Sequence, residues 1–436
     1  MERHLPQAHI NMSYEQDIKY VTKPVQYLLR ILGIWPLLER DLSTFEMMGK
    51  ILLIILCCLL VCIIVVPGFL YSLFFSTDEP HAKLMTIEPV IYSFVTFVKY
   101  CTLLIYEDKF KTCLRHVKDD WKFVTWSNAR EIMIEKAKIG RNVFAVSCIV
   151  IYGASLLFHT LPLTSRRMLG NVTFRPLAYA GYYIVFDEQR TPAYEIMFLL
   201  QLFSGFVMYS VTTVLYGLIG LLVMHACAQM KILMMLMEEL VSEQICTEEN
   251  VNEKLSMVVE HQIRIRNFLY LVEDTMRYSS LFEILGSTLM LCLVGYCILI
   301  VGSTFRSCHG EEFYYQQSVR NTIVEYILNS QEWRDGNAAN TCTFFIVLIA
   351  DAINIFLLCY VGEHITEASE EVAWKTHMLG WYHLPPRKTR DIILIIIISH
   401  IPLKITAGKF IVLSFKTYGD VSEVYIDFLM TALSKV

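Results

Sequence analysis

Three carboxylates lie in the otherwise apolar stretch that spans residues 409 to 436, KFIVLSFKTYGDVSEVYIDFLMTALSKV. Its central polar positions are separated by 4, 3, 4, 4 and 3 residues, which places them along one face of an α-helix. We call this face the acidic stripe, and it consists of Lys416, Asp420, Glu423, Asp427, Thr431 and Ser434. A charge at the centre of a bilayer costs at least about 2.5 kcal/mol, so the stripe must meet water or opposite charge.

Two interpretations of the acidic stripe are open. If several subunits meet at this helix, they enclose an aqueous path, and rings of carboxylates in that path favour cations. Alternatively, the stripe packs within the chain, and its acids are protonated or neutralised by basic partners. The first interpretation makes Asp420, Glu423, Asp427, Thr431 and Ser434 pore-lining residues.

The composition identifies the element that carries the stripe as part of a polytopic membrane protein. Of the 436 residues, 55% are hydrophobic and 18% are charged, and the mean hydropathy is +0.46. The apolar residues occur in blocks that are too long for a globular core. No basic block indicates nucleic acid, so the expected surroundings are the lipid bilayer and other membrane subunits.

Seven helices are predicted to cross the bilayer, which requires about 20 helical residues for each. Six apolar runs satisfy this length, at 50–75, 84–106, 143–163, 196–226, 281–301 and 343–362. The run 392–401 is too short to cross, and it is predicted to form a buried or interfacial helix. The seventh crossing is 410–436, after a break at Gly408. The predicted fold class is therefore all-α, with seven transmembrane helices.

The distribution of basic residues predicts the orientation. One set of alternate loops, with the N-terminal tail, contains 25 Lys and Arg residues, and the opposite set contains 8. The positive-inside rule therefore places the N-terminus in the cytoplasm and the C-terminus outside. The predicted segments are a cytoplasmic N-terminal segment 1–48, transmembrane helices 1–4 with the ligand-pocket region 49–226, a cytoplasmic helical anchor 227–280, transmembrane helices 5–6 at 281–362, a second cytoplasmic anchor segment 363–409, and the last helix 410–436.

This orientation has two covalent consequences on the outer side. Asn171 begins an Asn-Val-Thr sequon in an external loop and is a glycosylation candidate. Cys308 and Cys342 fall in another external loop, where the oxidising compartment permits a disulfide. Two free thiols are the alternative.

Catalytic signatures are absent from the sequence. It contains no P-loop, no GxGxxG after a strand, no HExxH, no GxSxG and no paired CxxC spacing. We therefore expect no enzymatic activity, no metal and no cofactor.

Three ionisable residues within the spans require an explanation of their own. Lys99 lies toward the cytoplasmic end of its span and is expected to extend its amine to the interface. Glu88 lies near the outer end of the same span, where an aqueous vestibule would hydrate it. Asp351 lies about 12 Å into the sixth span and is expected to face a protein-lined cavity. At these depths Lys99 and Asp351 are not expected to meet.

The outer halves of spans 2, 3, 4 and 6 are rich in aromatic and weakly polar residues. Such a lining suits a pocket for a small hydrophobic ligand. The candidate ligand-binding residues are Tyr92, Ser93, Thr96, Tyr152, Ser155, His159, Gln201, Ser204, Met208, Phe344 and Phe345. Ordinary packing with interhelical hydrogen bonds is the alternative explanation of the same pattern.

The last 63 residues, 374–436, resemble the C-terminal region of insect odorant receptors. The similar elements are Trp381-Tyr382, Leu384-Pro385, the short apolar helix with Pro402, Ala407-Gly408-Lys409-Phe410 and Ser414. The resemblance implies a tetrameric, ligand-gated, non-selective cation channel in which a tuning subunit assembles with a shared co-receptor. It also implies that the odorant site lies between spans 2, 3, 4 and 6, and that the last helix lines the pore.

Carried over by distance from the C-terminus, the resemblance places the gate near Thr431, with Ser434 and Lys435 just outside it. The chain departs from the family at Asp427-Phe428-Leu429, where relatives have a Ser-Tyr-Phe-like triplet, and in having threonine at the gate. Closure is therefore expected to depend on the co-receptor. The loop 227–280 lacks the co-receptor's long insertion, so the chain resembles a tuning subunit.

The leading hypothesis is an odorant-binding, gating subunit for small volatile or hydrophobic chemicals, in the plasma membrane of olfactory sensory neurons. A seven-span receptor that acts through a G protein is one alternative, and it differs in predicting an external N-terminus. A transporter is the other, and it predicts paired half-structures that the sequence does not display.

Overall fold

The computed structural model describes residues 13–34, 43–74, 80–124, 126–164, 167–169, 172–174, 177–179, 181, 183, 190–242, 248–308, 338–380 and 386–435. These residues form ten α-helices and two short antiparallel hairpins, which confirms the all-α fold class. In chain order they are α1 (Tyr14–Ile31), α2 (Thr44–Phe74), α3 (Pro80–Ile105), α4 (Glu107–Phe123), α5 (Ser127–Thr164), β1 (Arg167–Leu169), β2 (Val172–Phe174), α6 (Ala193–Ser242), α7 (Glu248–Cys308), α8 (Ala338–His377), α9 (Pro386–Ser399), β3 (Thr406–Ala407), β4 (Ile411–Val412) and α10 (Phe415–Lys435).

Within the described part of the chain, six helices are long and apolar enough to cross a membrane, and each overlaps one of the six predicted runs. Their apolar parts are Thr44–Ser72, Ile87–Ile105, Ser127–Thr160, Ala193–Val241, Val251–Tyr296 and Phe345–His377. Helices α6 and α7 extend beyond their apolar runs into 227–280, the segment predicted to be a helical anchor. The extension of α5 was not predicted: this helix begins at Ser127, well before residue 143.

Helix α6 lies at the centre of the fold, and the other long helices surround it. In the most apolar 18-residue part of α6, 89% of the residues are buried, whereas the corresponding fraction is 22% in α2 and in α5. The apolar side chains of α2 and α5 are therefore left to contact lipid. Small residues allow the closest approach: a Cβ placed on Gly140 of α5 would lie 2.8 Å from the carbonyl oxygen of Gly220 of α6.

The C-terminal parts of α6 and α8 and the N-terminal part of α7 pack with α9. The amide of Gln262 donates a hydrogen bond of 2.8 Å to the Ser399 hydroxyl, and the Thr376 hydroxyl lies 3.3 Å from the same oxygen. Ser369 accepts a 2.9 Å hydrogen bond from the backbone N–H of Leu403. Segments distant in sequence therefore meet in one helical bundle.

Ion pairs attach α1 and α4 to this arrangement. Arg130 forms a bidentate pair with Asp17, at 2.7 and 2.8 Å, and Asp120 contacts both Arg264 and Nε2 of His225, the latter at 2.9 Å. Burial of Asp120 raises its pKa, but the hydrogen bond with His225 and the charges of His225 and Arg264 outweigh burial and hold the pKa below its ordinary value.

The predicted break at Gly408 is the turn of a hairpin, and its two strands were not predicted. Gly408 (φ 64°) and Lys409 (φ 66°) adopt left-handed conformations, and the N–H of Leu413 donates to the carbonyl of Ile405 at 2.9 Å. The residue after β4 lies directly against α8, since a Cβ on Gly362 would collide with the Leu413 carbonyl oxygen.

Candidate functional site

A cavity lies between α3, α5, α6 and α8, and a residue of the segment before α6 also contributes to its wall. Its empty volume is about 540 Å³, the opening to solvent included. The lining residues are Glu88, Pro89, Tyr92, Ile151, Ala154, Ser155, Phe158, Tyr179, Tyr209, Val347, Ala350, Asp351 and Asn354.

Helical periodicity explains which side chains reach the cavity. In α5 the lining residues are Ile151, Ala154, Ser155 and Phe158, spaced 3, 1 and 3 residues apart, and those of α8 repeat the same spacing. Residues three and four positions apart share one face of a helix. Each of the two helices therefore presents about two turns to the cavity.

Aromatic rings form much of the wall. The ring of Tyr92 lies 5.9 Å from that of Tyr209, and the ring of Phe158 lies 5.3 Å from that of Tyr179. The hydroxyls of Tyr179 and Tyr209 are 3.1 Å apart and hydrogen-bonded. These tilted rings offer both ring faces and edges to a ligand.

Two predicted residues hold the aromatic wall in place without lining the cavity. The amide of Gln201 accepts a hydrogen bond of 3.1 Å from the backbone N–H of Tyr179 and donates one of 2.8 Å to its carbonyl. The His159 ring lies 5.6 Å from the Tyr179 ring, and its Nδ1 is 2.9 Å from the Ser155 carbonyl oxygen. Gln201 therefore holds Tyr179, which lies outside the helices and strands, against α6.

Besides the hydroxyls of the tyrosines and Ser155, two carboxyl groups and one amide bring polarity to the cavity. Glu88 enters from α3, and Asp351 and Asn354 enter from adjacent turns of α8. All three residues are less than a tenth exposed, and the buried carbonyl oxygen of Asn354 has no hydrogen-bond partner among the described residues. The cavity-facing position expected for Asp351 is therefore observed, whereas Glu88 is more buried than an aqueous vestibule implies.

Of the other predicted ligand-binding residues, Tyr92 and Ser155 line the cavity. The hydroxyl of Ser93 donates to the Pro89 carbonyl at 2.7 Å, and that of Thr96 donates to the Tyr92 carbonyl at 2.9 Å. Each hydroxyl has given its one proton to its own helix and cannot donate to a ligand, and neither residue lines the cavity.

Three more of these residues form contacts between helices. The Tyr152 hydroxyl is hydrogen-bonded to Ser210 at 2.8 Å, and the Ser204 hydroxyl donates to the Leu60 carbonyl. Met208 is fully buried in the core and does not line the cavity. Packing, the alternative explanation of the sequence pattern, accounts for these positions.

The remaining two residues belong to α8. Phe345 is half-buried but does not line the cavity, and the side chain of Phe344 lies outside the described part of the chain. The sequence prediction missed Phe158, Tyr179 and Tyr209. Phe158 could have been found, because it lies three residues after Ser155 on the same face of α5.

A second polar cluster lies in the membrane-spanning part of the fold, and it corrects the expectation for Lys99. This amine does not extend to an interface: it is buried and pairs with Glu283 of α7 at 2.7 Å. Thr212 lies 3.3 Å from the amine, and the Tyr216 hydroxyl donates to the Glu283 carboxylate at 2.9 Å. The cluster joins α3, α6 and α7.

The acidic stripe of α10 is uncovered. The stripe residues with described side chains are all exposed, and they are Lys416, Asp420, Glu423, Asp427 and Thr431. The three carboxylates form no ion pair with any residue that the structure describes. Neutralisation of the acids by basic partners of the same chain is therefore not observed in the described structure.

The opposite face of α10 packs on the rest of the chain. Leu429 and Ala432 are buried, whereas the apolar residues Val424 and Phe428 are exposed. Apolar surface thus flanks the stripe on α10. The side chains of Ser434 and Lys435 lie outside the described residues.

Several predicted features fall outside the described structure. Asn171 and the side chains of Cys308 and Cys342 are not among the described residues, and the nine described cysteines are free thiols. Within the described part of the chain, no three His, Cys, Asp or Glu side chains come together as metal ligands.

The chain is similar to known proteins both in sequence and in structure. A family model described as "7tm Odorant receptor" matches residues 79–308 and 333–425. The structure of the insect olfactory receptor OR5 from Machilis hrabei in complex with eugenol is similar, with a TM-score of 0.73 and 16% identity over 97% of this chain and 100% of that one. The structure of OR5 described without a ligand gives a TM-score of 0.72 at the same identity and coverage. No curated protein matches the chain. At this identity the structural likeness shows the fold.

Proposed function

Because the chain belongs to the 7tm odorant receptor family, we propose that it is the odorant-binding, gating subunit of a heteromeric, non-selective cation channel. The chain is a multi-pass membrane protein and a receptor, not an enzyme. Its partner in the channel is a shared co-receptor subunit. It acts in the plasma membrane of olfactory sensory neurons, where it detects small volatile or hydrophobic chemicals.

The observation that carries this proposal is the cavity between α3, α5, α6 and α8. It combines an aromatic wall with a few buried polar groups, the usual composition of a small-molecule site. The similar OR5 structure was determined with eugenol, a small aromatic molecule. We assign the odorant to this cavity.

The uncovered stripe on α10 supports the channel part of the proposal. We assign α10 as the seventh crossing, with the N-terminus in the cytoplasm and the C-terminus outside. Its exposed acids, Asp420, Glu423 and Asp427, then face the helices of neighbouring subunits across a cation path. The exposed apolar residues beside them, such as Val424, supply surface for contact with those subunits.

Helix α8 offers a direct connection between the odorant and the pore. Asp351 and Asn354 line the cavity, and two residues further along Phe356 stacks on α10, 5.9 Å from the Phe415 ring and 5.5 Å from the Tyr418 ring. If α8 can adopt two placements, a ligand that binds one of them more tightly would therefore also shift the placement of α10. Gating requires this difference in affinity between the open and closed forms.

The proposal is tested by recording currents from cells that express this chain alone, the co-receptor alone, or both, across a panel of volatiles. We expect odour-evoked cation current in the pair that is absent from either subunit alone for at least one volatile. Surface labelling of the chain serves as the expression control. A chain that reaches the surface with its co-receptor and passes no odour-evoked current for any member of a broad panel would contradict the proposal.

A further inference from the structure

Two carboxylic side chains line the cavity without a basic partner. Glu88 and Asp351 are each 8% exposed, and neither carboxyl group has an ion pair or a hydrogen bond with a residue that the structure describes. The ammonium of Lys99, whose charge also acts on Asp351, is paired with Glu283 instead. An isolated buried carboxylate is costly, because burial removes its water without replacing the lost interactions. The two side chains come from different helices, α3 and α8, and both line the same cavity.

A buried charged group elsewhere in the described fold does have a partner of opposite charge. Lys99, the basic residue buried nearby in α3, is paired at 2.7 Å with Glu283, which also receives the Tyr216 hydroxyl. By contrast, the cavity contains a buried acceptor without a hydrogen-bond partner among the described residues, the carbonyl oxygen of Asn354. Three acceptor side chains around one space call for a ligand that donates hydrogen bonds and carries positive charge.

The remainder of the wall indicates an organic cation rather than a metal ion. The rings of Tyr92, Phe158, Tyr179 and Tyr209 form most of the polarisable surface, and ring faces attract ammonium groups. Metal binding needs several ligand side chains in a close group, and no three His, Cys, Asp or Glu side chains come together among the described residues. Aliphatic residues such as Ile151 complete a surface suited to a hydrocarbon body.

We propose that the cavity binds small organic amines in their protonated form, with the ammonium group between Glu88, Asp351 and Asn354 and the apolar body against the aromatic rings. This inference rests on the proposed function and narrows its ligand class from small hydrophobic chemicals to amines. Glu88 and Asp351 are then the residues that determine specificity.

The test compares ligands of similar shape and different charge. Cells that express the chain with its co-receptor are exposed to 2-phenylethylamine and 2-phenylethanol, to hexylamine and hexanol, and to the permanently charged phenethyltrimethylammonium. At least one amine is expected to act at a concentration about tenfold or more below that of its matched alcohol, corresponding to about 1.4 kcal/mol. An alcohol that is as potent as its amine in both pairs would overturn the inference.

Charge-neutralising variants locate the effect. Glu88→Gln and Asp351→Asn keep the size of the side chain, and each is expected to raise the half-maximal amine concentration about tenfold while changing that of the alcohol less than about threefold. Glu131→Gln, at an exposed position of α5, is the matched control and should leave both ligands unaffected. Amine responses that survive in both cavity variants would overturn the inference.

Equilibrium binding separates this inference from the proposed function. Membranes containing the chain and its co-receptor are titrated with tritiated 2-phenylethylamine and tritiated hexylamine, and displacement is measured with the unlabelled amines. Saturable binding that Glu88→Gln and Asp351→Asn weaken, without any evoked current, would sustain the amine site and refute the channel role. Currents evoked by alcohols, with no saturable amine binding, would sustain the channel role and refute the amine site.

Discussion

The buried pair between Lys99 and Glu283 can be tested by removing its charges one at a time. Glu283→Gln leaves the ammonium without a carboxylate, and Lys99→Met leaves the carboxylate with hydroxyl donors alone. The double variant removes both charges and keeps an amide oxygen that can accept the Tyr216 hydroxyl. Because the side chains of Lys99 and Glu283 are only 3% and 6% exposed, water cannot compensate for a missing partner.

The loss in each single variant has a calculable upper limit, since an unpaired charge can be neutralised by proton exchange. At pH 7 and with reference pKa values, deprotonating a lysine costs about 4.6 kcal/mol and protonating a glutamate costs about 3.7 kcal/mol. In Lys99→Met the hydroxyls of Tyr216 and Ser287, at 2.9 and 3.4 Å, continue to stabilise Glu283. We therefore expect each single variant to lose about 2–4 kcal/mol and the double variant to lie within about 1 kcal/mol of the wild type.

The assay is thermal unfolding of a detergent-solubilised fluorescent fusion, followed by size-exclusion chromatography. The single variants are expected to unfold about 2–4 °C below the wild type, whereas the double variant recovers most of that loss. Lys375→Met is the matched control, because its partner Glu238 and Lys375 itself are 54% and 41% exposed, and exposed pairs contribute about 0–1 kcal/mol.

The decisive quantity is the coupling between the two substitutions. If the double variant loses the sum of the two single losses, the residues act independently and the buried ion pair makes no contribution to stability. Equal stability of the wild type and both single variants would refute the reasoning as well, because it would show that water reaches the pair.

Three further predictions concern the pore, the contact between α8 and the strand before α10, and pH. Asp420→Asn combined with Asp427→Asn is expected to change the ratio of divalent to monovalent cation permeability in the mixed channel, since both acids lie on the exposed stripe. Gly362→Ala is expected to lower stability by about 1–3 kcal/mol and to alter gating, because the added methyl group meets backbone, while Gly153→Ala meets nothing within 4 Å. Asp120→Asn is expected to cost about 2–4 kcal/mol at pH 7 and to flatten the loss of stability in acid. The contribution of Asp120 is present above its unfolded pKa of about 3.9 and is lost as the pH falls through its lower folded pKa.

Each of these predictions has a contrary outcome. Unchanged permeability ratios and divalent block in the double aspartate variant would remove the acids from the pore. Equal unfolding temperatures for Gly362→Ala and Gly153→Ala would show that the α8 contact yields easily. If Asp120→Asn loses stability in acid as steeply as the wild type does, then Asp120 does not govern that transition.

The membrane helices could be predicted from sequence because burial in lipid imposes length and composition on each segment. Every one of the six apolar runs corresponds to a helix. The extension of α5 back to Ser127 was missed, because residues 127–142 are charged on one side and stabilised by partners distant in sequence, such as Asp17 with Arg130. The hairpin at Gly408 was missed because its strands have only two residues each.

The cavity was predicted less well than the helices that form it. Hydroxyl-bearing residues such as Ser93 and Thr96 appeared suitable for a ligand, but helical carbonyls already satisfy them. Tyr179 could not be found by periodicity, since it lies outside the helices and is held in place by Gln201 through tertiary contacts. The sequence predicted that Lys99 reaches the interface, because it could not show that Glu283, 184 positions further along the chain, lies beside it.

The most direct test of the account fills the cavity and records the odour-evoked current in the presence of the co-receptor. Ala154 lines the cavity from α5, while Leu156 of the same helix is 64% exposed on its outer side. At equal surface levels, Ala154→Trp is expected to raise the half-maximal odorant concentration at least about tenfold, whereas Leu156→Trp leaves it unchanged. An unaltered response in Ala154→Trp would contradict the assignment of the odorant to this cavity.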